Sequence, residues 1–434
     1  VTLDLLRIED TLAGTDTVAA LGRLRSVVGL TLSAEIPGIR VGELVEIERS
    51  GGGTSLAEVV GFQDSAATLL PLDHAEGLGP DDVVRPARRR LTLSFSDALL
   101  GRVLDGLGRP LDGLGALAAG EARAVMASAP SPLRRQRVQR RLPTGVRVLD
   151  ALVALGEGQR IGLFSGSGVG KSSLLGQIAR QSDAEVFVAC LVGERGRELR
   201  EFLEDALGEA GRARGVVVCA TSDAPPLVRV KSAYVATAIA EGFRDQGKRV
   251  LLLMDSVTRF ARALRDVGLA AGEAPARRGY PPSVFAALPQ LVERAGMGEQ
   301  GSITAVYTVL VEGDDLDEPI ADELRGVLDG HIVLSRELAS RGHYPAVDVQ
   351  KSLSRLMDRV VDEPQRLAAQ AVRAHLATYE QHRDLVALGA YAPGSDRRLD
   401  AALARIERIE AFLRQDGRTA HTLEHTLRAL AALP

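Results

Sequence analysis

The chain has 434 residues, a prior of about three domains, and its 45% apolar and 25% charged residues suffice for a sizeable core. Its 53 basic residues nearly balance 57 acidic ones, and a net charge of -4 argues against a polybasic protein that coats nucleic acid or an anionic membrane. Two cysteines, Cys190 and Cys219, exclude a disulfide framework or a multi-cysteine zinc module. Both lie in apolar runs, VFVACLV and GVVVCAT, and read as buried small hydrophobes. No apolar stretch reaches the ~18–20 residues of a membrane span, and the first residues lack the basic-then-apolar signal pattern. The expectation is a cytoplasmic protein.

Residues 1–90 read as short strands. LTLSAEI, ELVEIER and SLAEVVGF carry alternating or clustered apolar residues, separated by turns at PG, SGGGT and LGP. That spacing predicts a small antiparallel β-barrel. An RNA-binding barrel would need aromatic platforms, and Phe62 is the one aromatic here, so no nucleic-acid partner is expected.

Residues 91–345 alternate apolar strands with amphipathic helices. RIGLFSG, AEVFVACLVG, GVVVCATS, RVLLLMDS and SITAVYTVLVEG are near-continuous apolar runs, as in strands buried on both faces of a parallel sheet. SSLLGQIARQ and YVATAIAEGFRDQG lie between them with helical patterns, so an α/β domain is predicted. Residues 346–434 read as a helical domain. In RRLDAALARIERIEAFLR the residues Leu399, Leu403, Ile406, Ile409 and Leu413 recur at helical spacing, and Leu423, Leu427 and Leu430 repeat the pattern.

The chemistry starts at Ser165. The segment Ser165-Gly166-Ser167-Gly168-Val169-Gly170-Lys171-Ser172 follows an apolar strand and precedes a helix, the setting of a phosphate-binding P-loop. Its backbone N–H groups can surround phosphate oxygens, and the helix N-terminus adds a positive dipole. Lys171 would reach the β- and γ-phosphates and Ser172 would hold Mg²⁺. Lysine occurs four times in the chain, which makes its presence at position 171 telling. Serine replaces the usual first glycine at Ser165, a turn-shaping position. A second apolar strand ends in Asp255, placed to serve Mg²⁺ beside the P-loop. A third ends in Val192-Gly193-Glu194-Arg195-Gly196-Arg197-Glu198. There Glu194 can polarise a water and Arg195 can offset phosphate charge, or the segment is a solvated charged turn.

Beyond these motifs the chain resembles a known family. Pro345-Ala346-Val347-Asp348, followed by Ser352 and Ser354, is similar to the signature of rotary-type ATPase α/β subunits. RVLDGLGRPLDG, LPTGVRVLDAL, LVGERGRE, LLMDSVTRFA, RRGYPPSVFAALPQLVERAG, YTVLVEGDDLDEPIADELRGVLDGHIVLSRELA and LGAYAPGSDRRLD resemble the ATPases of flagellar export and type III secretion, over about residues 20–415.

The resemblance implies an N-terminal β-barrel, a central RecA-like P-loop ATPase domain with a mainly parallel sheet, and a C-terminal α-helical domain. It implies ATP and Mg²⁺ as ligands and ATP hydrolysis that energises protein export. The nucleotide site would comprise Gly166, Ser167, Gly168, Val169, Gly170, Lys171, Ser172, Ser173, Arg259 and Tyr344, the last stacking on adenine with Phe412 nearby. Glu194, Lys171 and Arg195 would be catalytic, Ser172 and Asp255 would serve the metal, and Arg355 would be an arginine finger given to the neighbouring subunit. A finger in trans implies a homohexamer. Implied partners are a stator-type regulator, a central-stalk protein, export substrates with their chaperones and, indirectly, the membrane export gate. The implied location is cytoplasmic and peripheral at the inner face of the bacterial membrane. Residues 272–284 would face the central pore. The GSGVGKS loop is more similar to the flagellar branch than to injectisome members, while Lys351 in KSLSR is divergent. Competing readings are an injectisome ATPase, a rotary ion-pump subunit and a ring ATPase that moves along RNA.

Overall fold

The computed structural model describes residues 21–434 except Glu312 and Asp314; the first twenty residues of the expected barrel domain, and two positions of the VEGDD motif, lie outside the described residues. Chain packing gives two units. One is built on the chain up to Leu91, with short pieces from 225–227 and 266–274; the other holds the remainder.

The first unit is a closed six-stranded barrel of β1 (Gly22–Val28), β2 (Thr31–Glu35), β3 (Leu44–Glu48), β4 (Thr54–Gln63), β5 (Ala66–Pro71) and β6 (Val83–Pro86), in the order β1-β2-β5-β4-β3-β6. Alternation along each strand sends Leu24, Leu32, Val45, Ile47, Val59 and Leu69 inward. A register shift between Val59 and Gly61 bends the long β4 as closure requires. Closure removes free strand edges, so the expected small antiparallel barrel is the observed one.

The second unit is built on a twisted sheet. Its strands are β7 (Val103–Asp105), β8 (Arg160–Ser165), β9 (Val186–Glu194), β10 (Gly215–Thr221), β11 (Arg249–Asp255), β12 (Ser302–Leu310), β13 (Gly330–Val333) and β14 (Leu353–Ser354), in the order β14-β13-β8-β12-β11-β9-β10-β7. Neighbours in this order pair parallel except β13 with β14, and a ninth strand, the two-residue Gly296–Met297, pairs antiparallel with β12 off the main order. Every residue of β9 is buried, which is why its sequence shows no alternation. Helices α1 (Lys171–Gln181), α2 (Pro226–Asp245), α3 (Val257–Ala270), α4 (Pro282–Val292) and α5 (Pro319–Val327) connect the strands. Cys190 and Cys219 are fully buried on neighbouring strands, as expected. Offset by one residue in register, they point to opposite faces.

The C-terminal part is helical from Met357 onward, with α6 (Glu363–Ala387), α7 (Arg397–Leu403), α8 (Ile406–Leu413) and α9 (Leu423–Ala431). Two expectations change here. Residues 346–354 are not helical, because Leu353–Ser354 pairs with β13 as the sheet's edge strand. The single helical run expected over 397–414 is two helices, broken at Ala404 and Arg405. The break serves two packing partners: Leu399 and Ala402 of α7 lie against α6, while Ile409, Phe412 and Leu413 of α8 enter the main core beside Leu149 and Leu152. The side chain of Gln365 ties α6 to the carbonyls of Asp150 and Ala151 at 2.9 and 3.1 Å. Among the described residues no helix is long and apolar enough to cross a membrane.

Candidate active site

Four adjacent strands, β8, β12, β11 and β9, end at the same edge of the sheet. In parallel α/β sheets that edge is where ligands bind. The chain leaves β8 at Ser165, turns through Gly168 and Gly170 and enters α1 at Lys171. Gly168 and Gly170 have φ of 79° and 91°, a conformation that glycine adopts without strain. Nothing lies within 4 Å of where a Cβ on Gly168 would sit, so the loop is open there to a ligand. Val169 is buried in the core and anchors the loop, leaving its backbone as the part available to phosphate.

Lys171 reaches across this edge. Its ammonium pairs with Asp255 and lies 3.9 Å from Glu194. Asp255 is buried at the end of β11 and also accepts a hydrogen bond from Thr308 on β12 at 2.8 Å. Glu194 is buried at the end of β9. Arg259 of α3 stands against it, with Nε 3.2 Å from Oε1, while its Nη1 donates to the Gly193 carbonyl at 2.6 Å. Arg259 Nη2 also donates to Glu194 Oε2 at 3.4 Å, whereas the Nε–Oε1 approach is an ion pair without an aligned hydrogen bond, since Glu194 Oε1 and Arg259 Nε are both buried without a hydrogen-bond partner. Glu194 therefore keeps one oxygen for another donor.

Burial pushes the Glu194 carboxyl well above its ordinary value, helped by a hydrogen bond with Glu198 and the charge of Asp255; Lys171 and Arg259 oppose the rise. Glu198 moves down, chiefly because it is bonded to Glu194. The two carboxyls act as a pair in which Glu194 holds the proton. A cavity of about 480 Å³ adjoins this cluster, lined by Ser172, Ser173, Glu194, Glu198 and Asp255 among others.

The structure thus brings together Lys171, Ser172, Ser173, Glu194, Asp255 and Arg259. Tyr344 joins them from the other side of the P-loop: a Cβ on Gly170 would stand 3.3 Å from its half-exposed ring. Phe412 is buried under the Arg147 guanidinium, 5.6 Å from ring centre, and presents no free face. Arg195 is not brought in. Its side chain is 72% exposed and stands 4.0 Å from Glu198, because it precedes the short helix Gly196–Glu201 and turns outward. Arg355 lies elsewhere, exposed beyond the edge strand β14, with its Nη2 on the Arg325 carbonyl at 3.1 Å.

Sequence reading assigned no role to Thr308 or Glu198. A threonine in the otherwise apolar run of β12 was the available signal for the first. The second stood in the quoted charged turn, but its bond to Glu194 depends on how the following helix starts.

Residues 145–354 match the ATP synthase alpha/beta family, nucleotide-binding domain, and residues 361–432 match the T3SS EscN ATPase C-terminal domain. The chain is 51% identical over 413 residues to the type 3 secretion system ATPase of Xanthomonas euvesicatoria, covering 95% of this chain and 93% of that protein. It is 49% identical over 430 residues to the flagellum-specific ATP synthase of Treponema pallidum, covering 99% and 96%. The assembled ATPase EscN of the enteropathogenic E. coli type III secretion system superposes with a TM-score of 0.91 at 44% identity, over 95% of this chain and 99% of that one. EscN in complex with its central stalk EscO gives 0.88, with the same identity and coverage. Relatives from the two kinds of apparatus stand at nearly equal identity, so they give no support to the expected lean toward the flagellar one.

Proposed function

The chain belongs to the ATP synthase alpha/beta family, in its branch of type III secretion and flagellum-specific ATPases, and on that premise we propose how its own residues bind and hydrolyse ATP for protein export. The observation that carries the assignment is the meeting of Lys171, Asp255, Glu194 and Arg259 at one sheet edge beside an open P-loop.

The backbone of Gly166 to Ser172 cradles the phosphates, with Ser173 following in the first turn of α1. Lys171 exchanges Asp255 for the β- and γ-phosphate oxygens. That exchange frees Asp255. With the Ser172 hydroxyl it offers hard oxygen donors, which suit Mg²⁺ better than a soft metal. When bound, Mg²⁺ neutralises charge on the phosphate oxygens. Glu194 orients and polarises the attacking water through the oxygen that lacks a donor here. Arg259 holds Glu194 and faces the γ-phosphate; Arg195 joins only by turning away from Glu198. Tyr344 covers the base.

Arg355 completes the site of a neighbouring copy in a homohexamer. The ring works at a type III export apparatus, flagellar or injectisome, peripheral to the inner face of the cytoplasmic membrane. It engages a central stalk, a stator-type regulator, export substrates with their chaperones and, through these, the export gate. The assembly described for EscN supports the contact between copies, and its complex with EscO supports the central-stalk contact.

Glu194→Gln tests the chemistry. The variant should bind a fluorescent ATP analogue as the parent does and hydrolyse ATP at least about a hundredfold more slowly. Parental turnover by that variant would move the water-positioning role to another residue.

A further inference from the structure

The end of the sheet opposite the P-loop has its own charge pattern. Arg355 is fixed there: its backbone N–H donates to the Asp329 carbonyl at 3.0 Å, and Asp329 leads into the N-terminal end of β13. Because β13 runs parallel to β8, Arg355 and the P-loop stand roughly 15–20 Å apart along the strands, beyond the reach of one arginine side chain. The chain neighbour of Arg355, Leu356, and its backbone partner, Asp329, line a cavity of about 780 Å³ whose walls also include Arg135, Arg137, Arg160 and Arg359. Two of the four arginines are spoken for. Arg160 pairs with Glu293 at 2.5 Å and Asp329 at 3.3 Å, and Arg135 donates to the carbonyls of Ala295 and Glu293. Arg137 and Arg359 are exposed and make no ion pair among the described residues. The uncompensated charge of this face is that of Arg137 and Arg359.

The P-loop end carries the opposite sign. Its cavity is rimmed by Glu198, Glu201, Asp205 and Asp416, against Arg180 and Arg418. Asp205 is exposed and makes no ion pair among the described residues, and Glu201 shares only Arg197, at 3.1 Å. A finger that cannot reach its own site must be delivered to another copy's, and that copy presents an acidic rim.

We propose that Arg137 and Arg359 seat this face on Glu201 and Asp205 of a second copy of the chain, and that this charge contact sets Arg355 over the nucleotide there. The proposal rests on the reading of Arg355 as a finger in trans and adds what positions it. Arg137 and Arg359 are positioning residues and touch no phosphate. Both faces belong to one compact unit of the chain, so each ring interface repeats the same contact head to tail. Because the groups are exposed, the contact guides docking and fixes its register, and it weakens with salt.

The test is charge reversal in the full chain. Arg137→Glu with Arg359→Glu should lower the hexamer fraction, read by native mass spectrometry and sedimentation, and cut ATP turnover by at least about tenfold. Affinity for a fluorescent ATP analogue should stay at the parental value, which shows that the reversed chain is folded. Adding Glu201→Arg and Asp205→Arg to that chain should bring assembly and turnover back to within about threefold of the parent. Neutral Arg137→Gln with Arg359→Gln should give a smaller loss, which is largest at low salt and disappears at high salt, where the parental contact is itself screened. Parental assembly by the reversed chain overturns the proposal. So does loss without recovery in the fourfold variant, which would mean that the arginines meet some other group or bind an anionic ligand. Failure of the finger itself reads differently: Arg355→Ala that assembles and turns over normally removes the trans reading and leaves the assembly measurements intact.

Discussion

Glu194 keeps its proton in the nucleotide-free site because two neighbours and its own burial all disfavour a second negative charge beside Asp255. The consequence for stability has a definite sign. The folded state binds a proton that the unfolded chain has released, so this group's contribution falls as pH climbs from the ordinary carboxylate value of 4.5 through the raised one. The lowered value of Glu198 acts below that window, where its contribution is lost as pH falls. Glu194→Gln should therefore melt above the parent at alkaline pH, with the gap closing as pH drops toward the ordinary carboxylate value. Thermal melts of nucleotide-free protein across that range decide it, and a gap independent of pH would refute the assignment. Turnover of the parent should rise with pH over the same interval as the base form appears. The legible part of this site was the part written in consecutive residues: Lys171 in its loop, and Asp255 and Glu194 at the ends of apolar runs. Thr308 and Glu198 act through neighbours that only strand order and helix direction bring close, and a linear reading has no access to either. Arg195 sits next to Glu194 in sequence, yet the chain turns into a helix between them and points its guanidinium outward.

Between P-loop and cavity, the deciding contact joins α1 to the helical segment after β9. That segment is helical over Gly196–Glu201, passes through a π-helical turn over Phe202–Leu207 and resumes at Gly208–Ala213. Irregular turns of this kind often mark functional positions in helices. Gly176 makes the close approach possible, since a Cβ there would stand 2.6 Å from the Ala206 Cβ and 2.9 Å from its carbonyl oxygen. Gly176→Val should push the π-turn off the P-loop helix and cost about 1–3 kcal/mol of stability. ATP affinity should fall with it, because the same turn lines the nucleotide cavity through Phe202, Asp205 and Ala206. Denaturant unfolding with nucleotide titration measures both; unchanged values would mean that the turn gives way freely. Elements of this type show the limit of periodicity. The apolar strands were legible because both faces are covered, but the three-residue β7 and the four-residue β13 are too short to carry a pattern. The run from 397 to 414 kept helical spacing across a real break, because each half obeys the same period against a different partner.

At the scale of the whole molecule, the proposed trans role of Arg355 divides the reaction centre between opposite ends of one sheet, so that neither half would work alone. On that proposal the P-loop end would bind ATP and lack its finger, while the Arg355 end would offer a guanidinium and no phosphate site. Head-to-tail assembly would then close the arrangement into a ring and give every site one half from each of two copies. Arg355→Ala should keep ATP binding and lose most turnover, since such a finger is worth about 10³–10⁵ in rate. Lys171→Ala should lose ATP binding and still present an intact finger to its neighbour. Each variant alone should be nearly inactive. Mixed in equal amounts and allowed to exchange subunits, they should recover roughly a quarter of parental turnover per site, because a random ring places a competent P-loop against a competent finger at one interface in four. No recovery in rings shown by mass to contain both chains would mean that Arg355 serves its own protomer. That result would require the sheet to bring its two ends together, which the parallel pairing of β8 with β13 forbids.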